Sequence, residues 1–328
     1  MDETATMDPG IIKGLFEQGL MGVEIPEEYG GTGMNFMAAC LVIEELAKVD
    51  ASVSVMCDVQ NTLVNNVFTV MLETKAGLTT VESRLVCASF TLMMKSRAEY
   101  THAWLLGEAG LFLVMANVDP SKGYKGITCF LAERDFEGLE VGKKEDKLGI
   151  RASSTCPITF TDMKVPKENI VGEIGKGYKI AIEILNEGRI GIASQMLGIA
   201  EGCMEATLPY LWQRKQFNNY IGDFQGMQHQ VAQIAMEIEA AKNMVYNAAR
   251  LKETGQPFVK EAAMAKLYAS RVAERTASHC IEWMGGVGFV KEFPQEKFYR
   301  DCKIGAIYEG TSLIQLTTIA KLLRAEHQ

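Results

Sequence analysis

The sequence predicts an α+β protein with helices first, a small antiparallel β region in the middle, and a four-helix bundle at the end. Three observations predict it. Apolar residues recur at helical spacing over the first seventy or so positions, and short β-rich runs lie between turn-like stretches from Leu111 to Thr161. Long one-sided helical stripes then follow Gly177. The 328 residues suggest about two domains, taking roughly 150 residues for each. Hydrophobic residues make up 48% and charged ones 23%, which places the chain among globular proteins and not disordered ones. Its 33 Lys+Arg against 41 Asp+Glu leave a net charge of −8 with no long basic run, which excludes nucleic-acid binding as its main task.

Ile11, Ile12, Leu15, Phe16 and Leu20 form the first helical stripe, and the glycines of EEYGGTGMN mark a loop. From Met37 to Val67 the pattern is again apolar and helical, broken by KVDAS near Asp50. Leu111–Val118, Ile127–Ala132 and Thr155–Thr161 are strand-sized and separated by DPSKGYKG and GKKEDKLG. No helix-length pattern intervenes, so they read as antiparallel neighbours and not as βαβ units. Met227, Val231, Ile234, Ile238, Ala241 and Val245 then step along one helix face. Ala263, Leu267, Ser270, Ala277 and Ile281 do the same with small residues that permit close packing. A last stripe runs from Ser312 to Leu323, and with the helix opening near Gly177 the count is four, that of a bundle.

No apolar run approaches 18 residues, the richest being Leu111–Val118, so no membrane span is expected. The eight cysteines contain no C-x-x-C and read as buried thiols; neither a disulfide framework nor a metal site is expected. MDETATMDPG is acidic and lacks Arg, unlike a secretory signal or a transit peptide.

Three glycine-bearing stretches have the residues for chemistry. Gly172, Gly175 and Gly177 precede a helix whose free N–H groups suit an anion, although a flexible helix entry is the simpler reading. In that helix Asn186, Glu187 and Arg189 interrupt an apolar surface. Gly285 and Gly286 end another helix as a C-cap, or let a ligand approach the backbone closely. Gly305 and Gly310 bracket a segment ending in Tyr308-Glu309. A carboxylate there is either surface and capping chemistry or, in an apolar cleft, a general base with a raised pKa. Spacing leaves both open.

Taken together these stretches resemble the acyl-CoA dehydrogenase family. The resemblance rests on KLGIRASSTCPITFTDMKVPKENIVG, LNEGRIGIASQMLGIA, the R-x-x-F…Q pattern of Arg214, Phe217 and Gln225, EWMGGVGF, and YRDCKIGAIYEGTSLIQ, in that order. QGLMGVEIPEEYGGTG and EELAKVDASVSV are most similar to the family's short/branched-chain branch. The resemblance implies an FAD enzyme that converts a 2-methylbutanoyl-type acyl-CoA to the trans-2-enoyl-CoA and passes electrons to electron-transfer flavoprotein. It implies a homo-oligomer, a dimer of dimers, in the mitochondrial matrix, although this chain shows no transit peptide. Glu309 matches the base that takes the α-proton while the β-hydrogen leaves as hydride to flavin N5. Arg214, Gln225, Glu282, Trp283, Met284, Gly285, Gly286, Thr311, Ser312 and Leu313 match positions that contact FAD, partly across a subunit boundary. Tyr124, Tyr178, Asn186, Glu187, Gly188, Arg189 and Gly310 match positions around the acyl-CoA. No metal is implied. The implied organisation is a helical region over 1–75, an off-pattern segment over 76–108, a partial β domain over 109–172 and a helical bundle over 173–328.

Some positions depart from the family. Asn218 stands for the usual Gly, Leu313 for a polar residue and Cys302 for Ala. More seriously, residues 64–108 lack the loop and strand signatures that cradle the flavin, and only KSRAE (Lys95–Glu99) is faintly similar. Such a segment reads as a splice or reading-frame change in preference to a divergent insert. The expected consequences are an open sheet edge and weakened FAD binding. The competing readings are a flavin-poor, inactive subunit that only oligomerises, and a helical scaffold without a ligand.

Overall fold

The computed structural model describes residues 1–65, 67, 107 and 109–328, together with the backbone of 86–93 and 101–104. The chain forms two compact units. One comprises 1–35, 56–147 and 151–188, the other 36–55, 148–150 and 189–328.

In the first unit α1 (Pro9–Glu17) starts where Asp8 accepts a 2.7 Å hydrogen bond from Gly10 N, with proline at the first helical position. Seven strands follow: β1 (Val86–Met93), β2 (Thr101–Trp104), β3 (Leu111–Asn117), β4 (Ile127–Glu133), β5 (Leu139–Val141), β6 (Thr155–Phe160) and β7 (Ile170–Val171). They form one sheet in the order β1-β3-β4-β7 and another in the order β2-β6-β5. Phe112 to Met115 are all buried, so β3 is covered on both faces. This explains an apolar run without alternation.

The three strands expected from the sequence form at the expected positions, and β3 pairs antiparallel with β4, but β6 is not their neighbour: it pairs with β2 and β5 in the other sheet. Two further features differ from expectation. β1 runs parallel to β3, because the intervening chain crosses to the other sheet as β2 before it returns. Strands β1 and β2 also lie inside the off-pattern segment, where they pair with β3 and β6. They cover β3 and β6 and themselves stand at the ends of the two sheets. Lys95–Glu99 lies outside the described residues.

The helix expected up to Val67 is interrupted at Asp50, whose Oδ1 caps α3 (Ala51–Asp58) by accepting from Ser52 N and Val53 N. Beyond α3 the coil loosens into a π-helical stretch, Val59–Val64. Its Asn61 accepts from Val23 N at 2.9 Å and donates to Leu20 O at 2.8 Å, while Asn65 donates to Met21 O. These amides hold the glycine-bearing N-terminal loop.

The second unit contains α2 (Phe36–Ala47) and the bundle: α4 (Gly177–Leu211, entering from the first unit), α5 (Gln225–Glu253), α6 (Val259–Met284), short α7 (Gln295–Cys302) and α8 (Ser312–Glu326). The four long helices match the four stripes, whereas α7 was not anticipated. Between α4 and α5 a hairpin of β8 (Lys215–Gln216) and β9 (Asn219–Tyr220) turns through Phe217 and Asn218 at φ 50° and 65°. Asn218 thus occupies the left-handed conformation for which Gly or Asn is preferred.

Buried alanines on α6, among them Ala262, Ala265, Ala269, Ala273 and Ala277, permit close packing against α5. Closer still is α2 on α4. A Cβ at Gly198 would lie 2.1 Å from Glu44 O, and one at Gly202 would lie 2.3 Å from Lys48 O. Charge pairs reinforce that contact: Lys242 lies 3.4 Å from buried Glu44 and 2.8 Å from Glu201, and Tyr246 donates to both Glu44 oxygens. Burial, with Glu201 nearby, raises the Glu44 pKa to about 7. Among the described residues the cysteines are buried thiols without a disulfide, no side-chain cluster suits a metal ion, and no helix is long and apolar enough to cross a membrane.

Replacing Gly198 with Val should destabilise the fold by about 1–3 kcal/mol through overpacking, read as a lower denaturant midpoint at unchanged slope.

Candidate active site

Glu309 follows buried Tyr308 in the link between α7 and α8, at φ 49°, and Gly310 follows at φ 87°. Two successive left-handed residues turn the chain sharply, and a glutamate in that conformation is strained. Three side chains hold it. Gln315, in the first turn of α8, donates from Nε2 to Glu309 O and Gly310 O, both at 2.9 Å. Lys266 on α6, fully buried, donates from Nζ to Gly310 O at 2.7 Å. Tyr308 donates its hydroxyl to Gln195 on α4, and Gln195 Nε2 donates to Ala51 O at 2.7 Å.

The turn aims a carboxylate inward. Glu309 Oε2 is shut off from solvent and has no hydrogen-bond partner among the described residues. The Glu309 N–H likewise meets no acceptor among them. Burial raises the carboxyl pKa to about 7, against the opposing pull of the Arg189 and Lys266 cations. Burial also depresses Arg189, and it lowers Lys266 to about 8 although Glu309 favours its charged form. The group is therefore a carboxylate poised near neutrality, with one oxygen and one backbone donor free for a ligand.

The structure brings together Glu309, Gly310 and Arg189. Next to them Thr311 N-caps α8, its hydroxyl accepting from Ile314 N, so Ser312 opens that helix and Leu313 is exposed. Asn186 and Gly188 are buried on α4 just before Arg189, with Glu187 half-buried between them. In the first unit Tyr124 and Tyr178 come together, with ring centroids 5.1 Å apart.

The remaining positions gather elsewhere. Trp283 Nε1 donates to Gln230 Oε1, which joins the end of α6 to the start of α5, where Gln225 is the first residue. Arg214 precedes the hairpin leading into α5 and is exposed. The Trp283 and Met284 side chains are buried in the bundle, so they present only backbone to a ligand, whereas Glu282, Gly285 and Gly286 are exposed. Around Gly285 and Gly286 the space a Cβ would enter is open. These residues fit parts of a flavin dinucleotide. A guanidinium suits a pyrophosphate, and bare glycine backbone admits a flat or anionic group. From Lys266, beside Glu309, to Gly285 is nineteen residues of α6, or ~28 Å at the helical rise. One copy of the chain therefore carries the two groups of positions well apart along one helix.

Sequence reasoning missed Lys266, Gln315 and Gln195. The available signal was positional: Lys266 sits between Ala263 and Ser270 on the apolar stripe of α6, where a solvated lysine does not belong.

A base at this position works only when ionised, so with Glu309 in that role kcat/KM would fall as pH drops through about 7 and plateau above. A pH–rate profile of the purified protein checks this.

Comparison with known proteins agrees with the geometry. The family model "Acyl-CoA dehydrogenase, C-terminal domain" matches residues 175–323, and "Acyl-CoA dehydrogenase, N-terminal domain" matches residues 1–71. The short/branched chain specific acyl-CoA dehydrogenase, mitochondrial, of Bos taurus is 56% identical over 350 residues, covering 100% of this chain and 81% of its own. A probable short/branched chain specific acyl-CoA dehydrogenase of Dictyostelium discoideum is 53% identical, covering 98% of this chain and 84% of its own. The solved butyryl-CoA dehydrogenase of Megasphaera elsdenii superposes with a TM-score of 0.91 at 36% identity, covering 98% of this chain and 92% of its own. With two family domains matched and identity above half along its whole length, this chain belongs to the acyl-CoA dehydrogenase family, a family of oxidoreductases.

Proposed function

We propose that this chain oxidises a short or branched acyl-CoA of the 2-methylbutanoyl type to its trans-2-enoyl-CoA, with Glu309 as the base and FAD as cofactor. The observation that carries the reading is the buried Oε2 of Glu309, unpartnered among the described residues and held inward by a left-handed turn. A thioester α-proton is a weak acid, so its removal needs a base in a dry site and donors waiting for the enolate oxygen. Glu309 supplies the first, and its own N–H is placed to supply one of the second. Gly310 keeps the next position free of a side chain. Arg189 and Lys266 favour the ionised base before transfer.

Bound FAD would supply the acceptor for the β-hydride and the route of the electrons to electron-transfer flavoprotein. Thr311–Leu313 of one copy and Arg214, Gln225 and Glu282–Gly286 of a second copy would hold it, the arrangement that the family resemblance implies. A homo-oligomer, dimeric at least, belongs to that reading. The names of the relatives support a short or branched acyl chain, and that of the bovine protein a mitochondrial location; the matrix is what the family resemblance implies.

Glu309→Gln should cut turnover of 2-methylbutanoyl-CoA by at least about a hundredfold while leaving any bound flavin in place, read by dye reduction and visible absorption. Unchanged turnover would overturn the reading. Glu309→Gln and Arg214→Glu chains, each inactive alone, should regain turnover when co-assembled, since a mixed dimer contains one intact site. The relatives' 350 aligned positions against 328 here leave at least 22 without a counterpart. With the off-pattern 64–108 segment, this supports flavin retention below one per chain and turnover that rises on adding FAD. One tightly held FAD per chain would refute that expectation.

A further inference from the structure

Lys266 has the features of a functional group that neither the motifs nor the fold require. It lies within α6, fully buried, and its one hydrogen bond among the described residues goes to Gly310 O. Gln315 already donates to the same carbonyl at 2.9 Å, and to Glu309 O as well. The backbone turn is thus held by a neutral amide, for which burying an ammonium is unnecessary. A buried cation is costly unless something compensates it. Among the described residues the charged groups that act on Lys266 are Glu309, whose neighbour Gly310 it holds at 2.7 Å, and Arg189 from α4; only the first favours a positive charge. Arg189 and Lys266 are likewise the cations that act on Glu309.

We propose that Lys266 is a positioning residue for proton abstraction, fastening the Gly310 carbonyl and using its buried charge to keep the neighbouring Glu309 ionised. The proposal rests on the reading of Glu309 as the base. Lysine suits the place because its compact ammonium on an unbranched stem reaches one carbonyl from inside a helix, where a planar guanidinium would need more room.

The test compares Lys266→Met, which removes donor and charge, Lys266→Gln, which keeps a donor, and Gln315→Leu, which keeps the charge. Both neutral Lys266 variants should lose roughly threefold more kcat/KM at pH 6 than at pH 8, the acid limb having moved to higher pH. Gln315→Leu should lose activity equally at both. The same upward displacement should appear without turnover in the infrared titration of the Glu309 carboxyl band, assigned by subtraction of the Glu309→Gln spectrum. Loss at Lys266 that is the same at every pH, with the carboxyl titration unmoved, overturns the proposal. So does failure of both neutral variants to fold, which would make Lys266 a stability residue. Absence of turnover in the unmodified protein with FAD supplied would instead overturn the reading of Glu309 as a base.

Discussion

A carboxylate with one oxygen shut off from water, beside two cations, is the constraint on which the link between α7 and α8 depends. Glu309 Oε2 would not remain buried without the turn that carries it, and the turn would not persist without its anchors. Holding a glutamate in the left-handed region costs about 1–3 kcal/mol. Three hydrogen bonds onto the Glu309 and Gly310 carbonyls, at about 0.5–1.5 kcal/mol each, are of the size needed to offset it. Those anchors come from α6 and α8, while Tyr308 reaches Gln195 on α4. The placement of one side chain thus accounts for why three bundle helices converge on a short link.

Legibility in the sequence followed the range of the signal. Stripes at helical spacing are local, and all four long bundle helices stand where Met227–Val245, Ala263–Ile281 and the flanking patterns put them. The strands at Leu111, Ile127 and Thr155 were equally local, being β-branched and aromatic runs between turns. What was not legible depends on distant partners. The parallel pairing of β1 with β3 follows from a crossover between sheets, which no local pattern encodes. Short α7 lacks enough residues to display a period.

The same division holds at the site. Glu309 was recognisable as a carboxylate beside a glycine, but spacing left it open between a cap and a base. Burial and the left-handed backbone now favour the base, since Thr311 and not Glu309 caps α8. Lys266 and Gln315 were invisible as functional residues because their partner is a backbone carbonyl, and a carbonyl has no sequence signature. Arg214, Gln225 and Glu282–Gly286 were readable only through family resemblance. No physical argument from one chain would group them with Thr311, and the length of α6 explains why.

That length also separates two demands that would conflict in one place. The base requires desolvation, close packing and fixed cations, all of which the interior of a bundle provides. A dinucleotide requires open glycine backbone and an accessible guanidinium, which occur where helices end, at Gly285, Gly286 and Arg214. A single helix cannot be both deeply packed and open at one level. Separating the two groups of residues along α6 lets each environment form without weakening the other.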